Sequence, residues 1–227
     1  MLDFHGYTGN SQSQEYYSRF IEVADNDTDP FIVVTPNGMA DNDYGYGSWN
    51  CSKTVGPKGP TCDRNRSAYE YGEIVCCDSC PECDPDNSCD FASCYDDVYF
   101  TRKLVYYVEK NFCLDRASVH HSGVSNGGMF SYYMISQMTD IFATIAPVAA
   151  SPLNGYGVIP SEIVSLFDIH GINDDVIPID LDHAYQEGPE NTVVSNDGFY
   201  YMAKNDILTS WVTETGCSGT IFWTGIL

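Results

Sequence analysis

Gly123-Val124-Ser125-Asn126-Gly127-Gly128 is the stretch on which the reading of the fold turns. It matches G-x-S-x-G, a string too short to mean much alone. Its surroundings give it weight. Ala117-Ser118-Val119-His120-His121-Ser122 before it reads as a short strand, and residues 126–138 after it read as a helix. A serine on so sharp a strand-to-helix turn is held in a strained backbone, and small neighbours avoid the collisions that strain invites. Its Oγ then stands above the sheet edge, where the N-terminus of the following helix aims N–H groups toward it. Ser125 is therefore the candidate nucleophile. The competing reading is a glycine-rich turn that happens to carry a serine.

Working outward, strands alternate with helices. Residues 1–4 look like the tail of a strand running into His5-Gly6-Tyr7-Thr8-Gly9. A helix is expected over 13–24, with Tyr17, Phe20, Ile21 and Ala24 on one face. Phe31-Ile32-Val33-Val34-Thr35 is a continuous apolar run ended by Pro36-Asn37-Gly38, the pattern of a buried strand and a turn. From Asp96, Val98, Phe100 or Thr101, Leu104, Val105 and Val108 recur at helical spacing. Asp96 and Asp97 stand where carboxylates favour a helix N-terminus. Residues 142–148 and 163–169 read as strands, 200–211 as a helix, and 220–223 as a last strand. The alternation predicts an α/β fold, a mostly parallel sheet with helices on both faces. The length of 227 residues fits a single domain.

Two loops complete a candidate site. Gly6 lets the backbone approach another group closely, so the backbone N–H of Tyr7 and that of Asn126 are the candidate oxyanion donors. The segment His170-Gly171-Ile172-Asn173-Asp174-Asp175-Val176-Ile177-Pro178 follows a buried strand. A carboxylate just past such a strand end can orient an imidazole, and it follows the serine in the chain. On position alone Asp174 and Asp175 compete for that role.

The balance of 10 Lys+Arg against 32 Asp+Glu, a net charge of −22, argues against nucleic acid or an anionic membrane as partner, because both repel it. No apolar run approaches the roughly 20 residues that span a bilayer. Ten cysteines, crowded at Cys76, Cys77, Cys80, Cys83, Cys89 and Cys94, predict disulfides and an oxidising compartment. Asn26-Asp27-Thr28, Asn50-Cys51-Ser52 and Asn65-Arg66-Ser67 fit the N-glycosylation acceptor pattern. Residues 50–95 form a disulfide-tied insertion in this reading. Two metal alternatives sit inside it: zinc on Cys77, Cys80 and Cys83, and calcium on Asp84, Asp86, Asn87 and Asp90. The absence of a nearby histidine and of a complete EF-hand pattern disfavours both, so no metal is assigned. Tyr44, Tyr46 and Trp49 just before it are candidates to stack on a phenolic or sugar ring, with ordinary packing the alternative.

These motifs together resemble the secreted esterase family of polyhydroxybutyrate depolymerases and feruloyl or acetylxylan esterases. The resemblance rests on His5-Gly6-Tyr7-Thr8-Gly9-Asn10, Asp96-Asp97-Val98-Tyr99-Phe100 and Gly123-Val124-Ser125-Asn126-Gly127-Gly128-Met129. It continues through Phe142-Ala143-Thr144-Ile145-Ala146-Pro147-Val148-Ala149, the 170–178 segment, Trp211 and Gly216-Cys217. It implies the α/β-hydrolase fold, cleavage of carboxylic esters, no cofactor, and an ester substrate from plant or microbial polysaccharide or polyester. It also implies that Asp174, rather than Asp175, is the acid. The family's histidine falls beyond the position of Trp223 and its first strands precede the His5-Gly6 loop, so both ends of the chain read as cut and a fragment of little activity is expected. His5, His120, His121 and His170 belong to the loop or strands already named, and His183 alone is uncommitted. Two other functions stay open: a non-catalytic polysaccharide-binding relative of the same fold, and a peptidase of that fold.

Overall fold

In the computed structural model, residues 1–40, 45–51, 92–93, 95–153, 160, 162–184, 186–187, 192–196 and 199–216 are described. Four parallel strands form the main sheet: β1 (Leu2–Phe4), β2 (His120–Val124), β3 (Thr144–Val148) and β4 (Ser165–Leu166), adjacent in that order. Leu2 pairs with His121, and His120 with Thr144, so the registers place all four carboxyl ends on one edge. Two single bridges extend the sheet, Val34 beside Leu2 and Ile169 beside Val148. The run expected as a strand over 31–35 therefore contributes one paired residue, with Val34 bonded to Met1 and Asp3.

Side chains alternate across a strand, and that alternation assigns the helices. Leu2 and His121 face α4 (Asn126–Gln137), where His121 Nδ1 meets Ser131 Oγ at 2.8 Å. Asp3 faces the other way, and Gln14 of α1 (Ser11–Ser18) donates to its Oδ1 at 2.9 Å. Helices thus cover both faces, and the fold is α/β with a mostly parallel main sheet. The core fills the α4 side with Phe4, Trp49, Phe130, Tyr132, Ile135 and Ile145, all fully buried. Helix α3 (Asp97–Asn111) is capped by Asp96, whose carboxylate accepts from Tyr99 N, and buries Thr101, Val105 and Val108. This matches the spacing read from the sequence.

Three expectations need correction. The helix over 13–24 is two helices, α1 and α2 (Phe20–Asn26), because Arg19 adopts a left-handed conformation (φ 55°) between them. That break rotates the face, so Gln14 and Ala24 are buried while Tyr17 is 79% exposed. Residues 200–202 belong to a strand. β5 (Gln186–Glu187), β6 (Thr192–Val194) and β7 (Tyr200–Met202) make a small antiparallel sheet, and α5 (Lys204–Thr215) follows. The β-branched run of β6 and the aromatic pair of β7 suit a half-buried pleat better than a helix turn. Trp49 is fully buried and cannot stack on a ligand. The cysteine-rich stretch, its zinc and calcium candidates, Tyr44 and the strand expected over 220–223 lie outside the described residues. Two cysteines are described and both are free, Cys51 buried and Cys113 exposed. No helix among the described residues is long and apolar enough to cross a membrane, and none of their His, Cys, Asp and Glu side chains groups in threes as a metal site.

Candidate active site

Ser125 is the single residue between β2 and α4, with φ 53° and ψ −120°. A non-glycine residue at positive φ is strained and persists only where its surroundings hold it. Here the Ser125 N–H donates to Val148 O at 2.9 Å, and the Ser125 carbonyl accepts from Met129 N at 2.8 Å. The turn also needs room. A Cβ on Gly127 would strike the Phe4 and His5 carbonyl oxygens, so only glycine lets α4 start this close to β1. Asn126 is the first residue of α4, and helix geometry leaves its N–H without an intrahelical acceptor.

The 5–9 loop leaves β1 directly beside this turn. A Cβ on Gly6 would lie 3.2 Å from Ser125 Cβ. The Gly6 carbonyl is held by His5 Nδ1 at 2.7 Å and by Gly9 N at 3.0 Å. A trans peptide is planar, so fixing that carbonyl fixes the Tyr7 N–H in the opposite direction. His5 Nε2 accepts from Gly38 N at 2.9 Å. Its proton therefore sits on Nδ1, and burial, the largest influence, keeps its pKa low.

Asp174 follows the Ile169 bridge. Its Oδ1 accepts from Val176 N at 3.0 Å and Ile177 N at 2.9 Å, which fixes the carboxylate on its own turn. Its Oδ2 lies 3.2 Å from His170 Nε2, which is also 2.9 Å from Ile177 O. Both neighbours are acceptors, so Nε2 carries the proton. Burial and then the Lys204 charge lower the His170 pKa, against an upward pull from Asp174 and Asp168. Ser125 bonds to Val148, and Ala149 bonds to Ile169. Ser125 and the Asp174 loop thus leave the same edge two strand spacings apart, about 10 Å. That span admits an imidazole ring between them. Asp175 makes no hydrogen bond comparable to those of Asp174 among the described residues.

The histidines are committed elsewhere. His120 bonds to Thr144 and His121 to Ser131, while His183 Nδ1 pairs with Asp180 at 2.6 Å. Among the described residues none is bonded to Ser125.

One feature under the site is not legible in the sequence. Lys204, first residue of α5, is fully buried. Its Nζ donates to Ala150 O at 2.5 Å, Asp168 Oδ2 at 2.8 Å and Tyr132 OH at 3.4 Å, and Tyr132 OH donates to Asp168 Oδ2. Desolvation lowers the Lys204 pKa and Asp168 pulls it back up. Burial and the Asp168 charge hold the Tyr132 phenol well above its ordinary value. This cluster ties α4, which follows Ser125, to the segment after β4 that leads to His170 and Asp174.

Comparison with known proteins finds partial similarity to esterases. The chain is 27% identical over 130 residues to a bifunctional acetylxylan esterase/xylanase of Neocallimastix patriciarum, covering 57% of this chain and 18% of that protein. It is 26% identical over 128 residues to feruloyl esterase B of Piromyces equi, 55% of this chain and 23% of the relative. It is 31% identical over 103 residues to feruloyl esterase C of Emericella nidulans, 45% of this chain and 36% of the relative. The chain thus spans from under a fifth to about a third of the length of these relatives. No family model matches it. The fold is α/β, and the proteins the chain is similar to are named as feruloyl and acetylxylan esterases.

Proposed function

We propose that the protein is an extracellular serine esterase acting on feruloyl or acetyl esters of polysaccharide. Ser125 Oγ attacks the ester carbonyl while a histidine takes its proton, and Asp174 orients and stabilises the resulting imidazolium. The N–H groups of Tyr7 and Asn126 hold the oxyanion, and water releases the acid from the acyl-enzyme. The carrying observation is the strained Ser125 packed against Gly6, with the Asp174 turn on the same sheet edge. Tyr46 is partly exposed and meets Tyr7 edge-on at a centroid distance of 5.7 Å, which suits it to pack on a phenolic acyl group. Disulfide pairing in the cysteine-rich stretch and glycosylation at Asn26 belong to the same extracellular reading. Each of the five histidines of residues 1–227 is hydrogen-bonded to a partner other than Ser125, so slow turnover is expected from these residues. A triad lacking one member retains about 10³–10⁴ over water.

A screen of methyl ferulate, acetylated xylan and polyhydroxybutyrate tests the reading. Slow hydrolysis of one of the first two is expected, with an acyl group that intact mass places on Ser125 and that Ser125→Ala does not form. Turnover with no acyl group on Ser125 would overturn it.

A further inference from the structure

The short segment 47–51 touches both halves of the oxyanion site. Gly47 O accepts from Thr8 N at 3.1 Å, and Trp49 Nε1 donates to His5 O at 3.0 Å. On the other side, Trp49 N donates to Asn126 Oδ1 at 2.8 Å, and Asn126 Nδ2 donates back to Trp49 O at 3.2 Å. This is a two-bond amide pair, and it leaves the Asn126 carboxamide one orientation. Asn126 Nδ2 also donates to Cys51 Sγ at 3.1 Å. Trp49 and Asn126 are both fully buried. The indole is wedged between Phe4, edge-on at 4.8 Å, and Phe130, stacked at 5.6 Å.

We infer that Trp49 is a positioning residue that sets the spacing between the two oxyanion donors. Its indole N–H anchors the carbonyl one residue before Gly6, and its backbone anchors the residue after Ser125. The two donors follow different strands, β1 and β2. Trp49 reaches the β1 side through its indole N–H and the β2 side through its main chain, so it bridges the two loops whose separation the oxyanion needs held. A misplacement of about 1 Å costs on the order of 10²-fold in rate. The inference rests on the serine-esterase reading for its catalytic consequence, but the strap is a physical object that can be tested without it.

Two variants and two readouts decide the matter. Trp49→Phe keeps the stacked ring and removes the Nε1–H. Asn126→Asp keeps the acceptor to Trp49 N and removes the donors. Ser125 acylation by p-nitrophenyl acetate is followed by intact mass, normalised to the folded fraction from circular dichroism. Hydrogen exchange is read over residues 4–9, 123–129 and 204–215. The expected result for each variant is a loss of about 10²-fold in the acylation rate constant at saturating ester, with half-saturation unchanged. Faster exchange should be confined to 4–9 and 123–129. A wild-type acylation rate in Trp49→Phe would overturn the inference, and so would exchange accelerated equally in 204–215. If wild type is never acylated, the esterase reading fails, and exchange alone judges the strap: local acceleration supports it, unchanged exchange overturns it. If Trp49→Phe does not fold, Asn126→Asp carries the same two outcomes.

Discussion

Replacing Lys204 with methionine should be among the most damaging single changes outside the reacting groups. The substitution keeps most of the aliphatic stem and removes the ammonium. It takes away three hydrogen bonds, to Ala150 O, Asp168 and Tyr132 OH, and leaves the Asp168 side chain, 9% exposed, without its counter-charge. Coulomb's law at 2.8 Å and an effective dielectric of about 20 gives a gross attraction of roughly 6 kcal/mol. Desolvation offsets part of it. Breaking a buried pair by deleting one partner costs about 3–5 kcal/mol, a large share of the roughly 5–15 kcal/mol that holds a domain folded. In a chain of this size each kcal/mol lowers Tm by about 2–4 °C, so a fall of roughly 6–20 °C is expected in thermal denaturation followed by near-UV circular dichroism. Lys204→Met combined with Asp168→Asn removes both charges and keeps an acceptor for Tyr132, so it should recover most of the loss. A single variant that loses less than about 1 kcal/mol, or a double variant as unstable as the summed singles, would refute the reasoning.

His121 makes folding sensitive to acid. Ser131 Oγ donates to Gly127 O, so His121 must donate from Nδ1, and its buried Nε2 has no partner among the described residues. Burial lowers its pKa from 6.5 to about 3. The unfolded chain binds the proton more tightly, so stability is full above about pH 6.5 and falls as pH drops toward 3, by roughly 4–5 kcal/mol at 1.36 kcal/mol per pH unit. Urea melts between pH 7 and pH 4 should show that slope, and His121→Asn should flatten it; an unchanged slope would count against the assignment. Tyr46→Ala should raise KM for methyl ferulate more than for an acetyl ester, and equal changes would remove Tyr46 from the acyl pocket. Thiol titration of the unfolded, unreduced protein should find few of the ten cysteines free. Nearly all free would end both the pairing and the extracellular reading.

The elbow was the most legible part, because its signal is local. A strand, a G-x-S-x-G turn and a helix must be contiguous, and the positions of Gly123 and Gly127 follow from that crowding. Asp174 was singled out by its strand-end position together with the family resemblance, and its turn is legible in the hydrogen bonds from Val176 and Ile177. Other features depend on tertiary context. Nothing in the 13–24 pattern marks Arg19 as left-handed, since that conformation is rare for arginine. The strands β5–β7 are two or three residues long, too short to show a period. Lys204 sits at the start of an amphipathic segment, where a lysine reads as solvent-exposed; its burial depends on Asp168 and Tyr132, each at least 36 residues away in sequence. Trp49 sits beside two exposable tyrosines and reads as a surface aromatic until Phe4 and Phe130 are seen to enclose it.

The central claim is that Ser125 is the nucleophile. The most direct test incubates the protein with p-nitrophenyl acetate, with and without added imidazole as an external base, and locates the acetyl group by peptide mass spectrometry. The account predicts an adduct on Ser125, formed faster with imidazole and absent in Ser125→Ala. A protein that is never acylated under either condition, or that is acylated at another residue while Ser125→Ala reacts as wild type does, would contradict it.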